Sequence, residues 1–204
     1  DFSSTMPYAS LGVNYKSENW LLYLNLPANF YNIKADDAAR GVHRDFSKFV
    51  FEPNLFAQYS FASFWKASMR AGYGQDFGGI NNVYAGALMS DPSSLGGAML
   101  PTNPMLESQN MNLGTKIEYR NPLNNLFFNV GANYNRSHSN IIANSVLGDS
   151  GLAVVTYEIL ENGRSSTTEN AEVGKYFPKF KSNMSVSFRN TDSRADQFRN
   201  SQFF

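Results

Sequence analysis

The 204-residue chain has no cysteine, which excludes a disulfide framework, thiolate metal centres and cysteine nucleophiles together. Charge is scarce as well: Asp, Glu, Lys and Arg make up 17% of the residues, where soluble domains commonly carry about a quarter. The 17 basic and 17 acidic side chains cancel. A nucleic-acid partner is therefore not expected, because binding a phosphate backbone calls for a basic surplus. No apolar run approaches the ~18 residues of a membrane-spanning helix, and no signal-peptide core is present. Helix formers rarely recur at 3.6-residue spacing, so amphipathic helices are missing too. The mean hydropathy is negative, yet that does not exclude a transmembrane strand, which is apolar only at alternate residues. The length suits one sizeable core. The first residue is Asp1, from which a processed or excised piece is expected.

The period that does recur is two. Trp20, Leu22, Leu24, Leu26, Ala28 and Phe30 alternate with more polar neighbours; so do Phe49, Phe51, Leu55, Ala57, Tyr59 and Phe61. Trp65, Ala67, Met69, Ala71 and Tyr73 face away from Lys66, Ser68, Arg70, Gly72 and Gly74. The same alternation marks Met111 to Tyr119, Phe128 to Tyr134, and Met184 to Phe188. Strict alternation of this kind specifies strands with one apolar face. Several runs persist for roughly 10–13 residues, against about 5–6 for ordinary globular strands. About 11 residues at a tilt near 45° cross an apolar layer of about 25 Å. The opposite face is rich in Asn, Ser and Gly with isolated charges, as suits a wet interior.

Connections alternate in length. Short ones are expected at 16–19, 62–63, 121–125 and 177–180, and long ones at 35–46, 77–106 and 143–165, with 152–160 ambiguous between loop and strand. Short turns on one side and long loops on the other describe a transmembrane barrel with periplasmic turns and extracellular loops. About eight strands are expected. Aromatics flank each short turn: Tyr15 and Trp20; Phe61, Phe64 and Trp65; Tyr119 and Phe127; Phe177 and Phe180. Such rings suit the headgroup zone of a bilayer, although aromatics are also common in any strand. Pro27 and Pro53 interrupt strand-like runs where no edge is available. They are expected to fall roughly opposite one another at a shared bulge or broken ladder, or else to end their strands.

Candidate chemistry is thin. His43 and His138 are the only histidines and lack metal-ligand spacing; on a strand, Ser137 and Ser139 face away from His138. No catalytic residue, metal site or cofactor is expected. Asp36, Asp37 and Asp91 fall in expected loops, where they can hold a cation or a sugar hydroxyl or simply be hydrated. Gly72, Gly74, Gly78 and Gly79 lack the Lys-Ser/Thr and the helix of a phosphate loop and suit a slimmed strand or bulge. Lys66, Arg70, Lys116 and Glu118 share the polar face and are expected to line the lumen, either along a solute path or paired with one another. The 77–106 loop, with Tyr84, Met89, Asp91 and Asn103, is the expected external ligand contact, since long loops are often functional and Tyr and Met make adaptable contacts.

From Asn103 onward the text resembles the barrel of TonB-dependent outer-membrane receptors. Asn103-Pro104-Met105-Leu106-Glu107 is similar to the Asn-Pro-x-Leu…Glu stretch at which a long outer loop of those barrels descends into a strand. Leu113-Gly114, Glu118-Tyr119 and Asn140-Ile141-Ile142 follow in the same order. The run Phe51-Glu52-Pro53-Asn54-Leu55 and the strand from Lys66 to Tyr73 precede them, so the resemblance spans about 49–188. Thr102 replaces the usual Gly, and the Pro common before Glu107 is absent. The resemblance implies nutrient uptake through the cell outer membrane, with outer-membrane lipid, an extracellular nutrient and the rest of the receptor as partners. Family barrels have about 22 strands, so residues 1–204 would form a single β-barrel region, a fragment without plug domain or TonB box, coupled to TonB through that absent plug. Two alternatives stay open: a complete small eight-stranded barrel serving as anchor or adhesin, and a soluble carbohydrate-binding β-sandwich.

Overall fold

In the computed structural model, the two-residue alternation becomes one large sheet with no α-helix among the described residues, which are 2–38, 41–78, 88–91, 94–96, 105–147, 153–199 and 202–203. The strands are β1 (Phe2–Thr5), β2 (Tyr8–Lys16), β3 (Trp20–Asp37), β4 (Val42–Phe51), β5 (Asn54–Phe61), β6 (Trp65–Asp76), β7 (Leu88–Asp91) and β8 (Ser94–Gly96). They continue as β9 (Ser108–Asn121), β10 (Leu126–Leu147), β11 (Ala153–Phe177), β12 (Ser182–Ala195), β13 (Phe198–Arg199) and β14 (Gln202–Phe203). β1 to β6 and β9 to β12 form an antiparallel meander in which β1 and β2 both lie along one side of β3, β4 and β5 along its other side, and β5, β6, β9, β10, β11 and β12 follow in order.

Pro7 and Pro53 mark the two places where what are otherwise eight continuous strands are divided. β1 and β2 lie along β3 in a single register, with Thr5 opposite Asn32 and Tyr8 opposite Asn29; Met6 and Pro7 interrupt them. β4 and β5 likewise share one register on β3, with Phe51 opposite Ala28 and Asn54 opposite Asn25. The ladder is thus broken at Glu52 and Pro53 without a bulge. Pro27 remains inside β3, opposite Ser10, and its carbonyl accepts the Glu52 N–H at 3.0 Å, while the Pro53 carbonyl accepts from Tyr73 at 3.1 Å. Proline removes a donor but keeps its acceptor, so the interruption stays local. The register shift lies elsewhere, between Ser139 and Ile141 against β11.

Turns and far ends depart from expectation in one respect. The short turns fall at 17–19, 62–64, 122–125 and 178–181, all at one end of the sheet. Ala62 and Ser63 take left-handed φ of 46° and 55°, which matches the twist of a tight hairpin. At the other end, the described residues of the expected loops at 35–46 and 143–165 are mostly strand instead. β3 and β4 stay paired to Asp37 opposite Val42, and β10 and β11 to Leu147 opposite Ala153. Polar sequence misled here because strands beyond an apolar zone need not alternate in hydropathy to keep their ladder. The expected loop 77–106 also carries strand, in β7 and β8.

The sheet has free edges. Among the described residues, β12 pairs only with β11 and β2 only with β3, and every residue of both strands is exposed. Within the sheet, glycines let side chains lie flat. A Cβ at Gly174 would run into the Phe127 ring, with the Met184 carbonyl oxygen 3.0 Å away. Replacing Gly174 with Val is expected to destabilise the sheet by about 1–3 kcal/mol through overpacking, measured as a lowered denaturation midpoint; an unchanged midpoint would show that Phe127 swings away freely.

Candidate functional site: a two-faced sheet

Pairing registers carry the two faces across the whole sheet. One row reads Trp20, Tyr59, Ala67, Ile117, Val130, Ala171, Phe188. The next position along each strand gives Leu21, Gln58, Ser68, Lys116, Gly131, Asn170, Arg189. Further rows repeat the contrast: Leu24, Leu55, Ala71, Leu113 and Tyr134 on one face, against Asn25, Asn54, Gly72, Asn112 and Asn135 on the other. The apolar side chains are not packed away. Leu113 is 42% exposed, Val186 73% and Phe188 62%. Such an extent of bare apolar surface marks an interaction face.

The apolar zone is a belt that cuts across the rows. It covers residues 20–30 on β3, 65–73 on β6, 171–177 on β11 and 184–188 on β12. The row through Leu24 therefore ends outside the belt, at Thr167 and Asp192. The belt slips by about seven residues over the six steps from β3 to β12, which at ~4.8 Å between strands and ~3.3 Å per residue is a strand tilt of roughly 40°. Glu169 and Asn190 on the apolar side are thus beyond the belt, whereas Lys175, of the same parity, lies within it near the turn end with its ammonium 5.7 Å from the Phe177 ring.

At the turn end the belt is rimmed by rings. Trp20 and Tyr59 centroids are 4.7 Å apart, Tyr59 and Phe61 5.9 Å, Phe61 and Trp65 6.2 Å, and Trp65 and Tyr119 4.9 Å; Phe128 completes the line 6.5 Å from Trp65. Phe127, expected in this set, lies on the polar face over Gly174 instead, because adjacent strand residues face opposite ways. A trough of about 740 Å³ crosses the apolar face between Trp20 and Phe188, with Ala57, Ala67, Ala132 and Ala171 among its lining residues.

The four charged residues expected to share a face do project together. Glu118 accepts a 2.7 Å hydrogen bond from the Lys116 ammonium, with Arg120 Nε at 3.9 Å and Lys66 directly across the ladder. Arg70 lies over Gly114, whose Cβ would meet Arg70 Cγ at 2.9 Å. Glu172 accepts from Asn129 at 3.0 Å. Much of this charge is satisfied within the wall.

The one packed core sits on the polar side, beyond the belt at the far end. Ile33, Ala35, Val50, Phe77 and Met105 are buried there, with Phe2, Tyr31 and Phe46 against them. Phe77 packs on Tyr31 and Phe46 at 4.7 and 5.0 Å between ring centroids. Lys48 pairs with Glu107 and stands 5.4 Å over the Phe77 ring. Asn29 donates to Glu52, whose other oxygen accepts from the Gln75 N–H at 2.8 Å. Burial first, then the carboxylates of Glu52 and Asp76, hold the Tyr31 phenol above its ordinary value. Both roots of the 77–106 segment are therefore fastened over the polar face. Sequence reasoning missed this cluster; the local signal was that Tyr31, Ile33 and Ala35 on β3 and Phe46 and Val50 on β4 share the otherwise polar parity.

Other expected residues scatter. Tyr84 and Asn103 lie outside the described residues. Met89 and Asp91 fall on β7, and their side chains are outside the description too. Asp36 is on β3, not in a loop, 3.6 Å from His43, with both side chains largely exposed; the side chain of Asp37 lies outside the description. His138 bonds to Glu161, a partner that spacing concealed because it arrives from β11. Among the described residues no three His, Asp or Glu side chains cluster as a metal site. No protein-family model, no curated protein and no solved structure matches the chain.

Proposed function

We propose that the chain is part of the wall of an outer-membrane β-barrel, its apolar belt against lipid and its amide-rich face against water, and that this barrel is a TonB-dependent nutrient receptor of the kind the Asn103–Glu107 stretch resembles. The observation that carries the wall reading is which face the chain covers. Phe77, Met105 and Glu107 fold over the polar face, while the belt stays bare among the described residues. A soluble fold covers its apolar face first, because that burial is the dominant favourable term. The belt supports the reading in its dimension as well: 11 residues on β3 at roughly 40° span about 25–28 Å, close to the apolar band of outer-membrane barrels. The free edges call for further strands, since each unpaired backbone group costs several kcal/mol in hydrocarbon. The charged and amide side chains opposite then line the solute path, and no reaction is assigned to them. Plug, TonB and the nutrient remain partners of the proposed whole receptor.

A second reading has one observation in its favour. The trough on the apolar face would become an internal cavity if the sheet curled the other way, giving a soluble β-protein.

The absence of native cysteine makes the test direct. Single cysteines at Leu24 and Val130, tagged with a fluorophore in lipid vesicles, are expected to be quenched strongly by brominated acyl chains. Tags at Asn25 and Asn129 are expected to be quenched by aqueous iodide instead. A monodisperse protein in buffer, with Leu24 and Val130 shielded and no quenching by lipid, establishes the second reading.

A further inference from the structure

Between its amide rows the polar face carries an aromatic pair. Tyr23 on β3 and Phe56 on β5 are cross-strand partners there, with ring centroids 6.1 Å apart and planes within 29° of each other. Tyr23 keeps 45% of its surface exposed. Asn14 and Arg70 continue their row to either side, and the neighbouring row supplies Asn25 and Asn54. Together these residues line a cavity of about 480 Å³.

Its chemistry is specific. The two rings stack with their planes inclined by 29° and give the cavity an aromatic, apolar wall. Around that wall stand carboxamides, each able to donate and to accept. The Asn54 amide donates to the Glu52 carbonyl at 3.0 Å, which leaves its oxygen available. The side chains of Asn14, Asn25 and Arg70 have no hydrogen bond or ion pair among the described residues, so their capacity is offered outward. Gly12 keeps one end low, with nothing within 4 Å of where its Cβ would be.

From this we infer that Tyr23 and Phe56, ringed by Asn14, Asn25, Asn54 and Arg70, form a subsite for a neutral saccharide on the water-facing wall. A pyranose ring has an apolar C–H face bordered by hydroxyls that both donate and accept. Stacking satisfies the first and the amides satisfy the second. A purely apolar ligand would strand the amides without partners, which is costly once water is displaced. An anion would find one cation, Arg70, among dipoles that favour neither sign. This assignment rests on the wall reading, because it needs this face to meet water and solute.

The test uses the full chain in nanodiscs, with maltoheptaose and cellohexaose as neutral probes and citrate as the anionic comparator. Saturation of the aromatic protons is expected to transfer to ring C–H protons of at least one sugar. Phe56→Ala is expected to weaken that sugar's binding about tenfold or more, and Tyr23→Leu to weaken it less. Phe56→Leu, which keeps apolar volume without a flat ring, is expected to behave like Phe56→Ala. The assignment is overturned by absence of transfer to both sugars, by equal transfer in all the variants, or by citrate binding more tightly than either sugar. Quenching of Trp20 by brominated lipid in the same samples separates the two claims. If it persists while sugar contact is absent, only the subsite fails; if Trp20 is unquenched, the wall reading fails by itself.

Discussion

Replacing Val130 with Arg is expected to destabilise the folded chain in a bilayer by about 2–4 kcal/mol, the cost of a guanidinium near the middle of a lipid-facing strand. The same change one residue earlier, Asn129→Arg, is expected to cost no more than about 1 kcal/mol, because a guanidinium on that face meets water and can pair with Glu172, the present acceptor of the Asn129 amide. The two positions are neighbours on β10 with the same backbone pairing to β9 and β11, so propensity and ladder hydrogen bonding cancel between them. What remains is which solvent each side chain meets. Denaturant titration in lipid vesicles, followed by far-ultraviolet circular dichroism, measures both. Equal losses at the two positions would mean that both faces see the same medium, and the wall reading would be wrong.

The second large effect belongs to the packed cluster over the polar face. Phe77 is 2% exposed, and its ring touches Tyr31, Phe46 and the Lys48 ammonium. Truncation to Ala is expected to cost about 3–5 kcal/mol, the sum of lost transfer energy and an unfilled cavity. The loss should be local, appearing as faster hydrogen exchange at the Ile33, Ala35 and Val50 amides while the β9–β10 ladder keeps its protection. Phe49→Ala is the control: Phe49 sits on β4 and is 63% exposed, so its truncation should cost under about 1 kcal/mol. Were the Phe77 and Phe49 losses alike, the cluster would not be a packed core.

Much of the architecture was legible from alternation alone. The eight long strands, the four short turns and the apolar parity of Trp20, Leu24, Leu55 and Val130 all follow from a period of two, because successive strand residues must face opposite ways. What failed was local hydropathy beyond the belt. The stretches 35–46 and 143–165 read as loops, with 152–160 ambiguous, yet among their described residues strand pairing continues to Asp37 opposite Val42 and to Leu147 opposite Ala153. Phe127 was placed on the wrong side because proximity to a turn was given more weight than parity. His138 lacked a visible partner, since Glu161 is brought to it only by the pairing of β10 with β11. Of the expected ligand-contact residues, Tyr84 and Asn103 lie outside the described residues, so that part of the expectation stays as it was.

By itself the sequence determined that this is an all-β chain with one greasy and one hydrophilic side, because side-chain period depends on backbone geometry alone. Only the tertiary structure decided how those sides line up. Register placed Tyr23 beside Phe56 and slanted the belt across the rows, and folding of Phe77 and Met105 chose the polar face as the covered one. The physical reason is that register, tilt and the covering of a face arise between strands distant in sequence, where no local pattern specifies them.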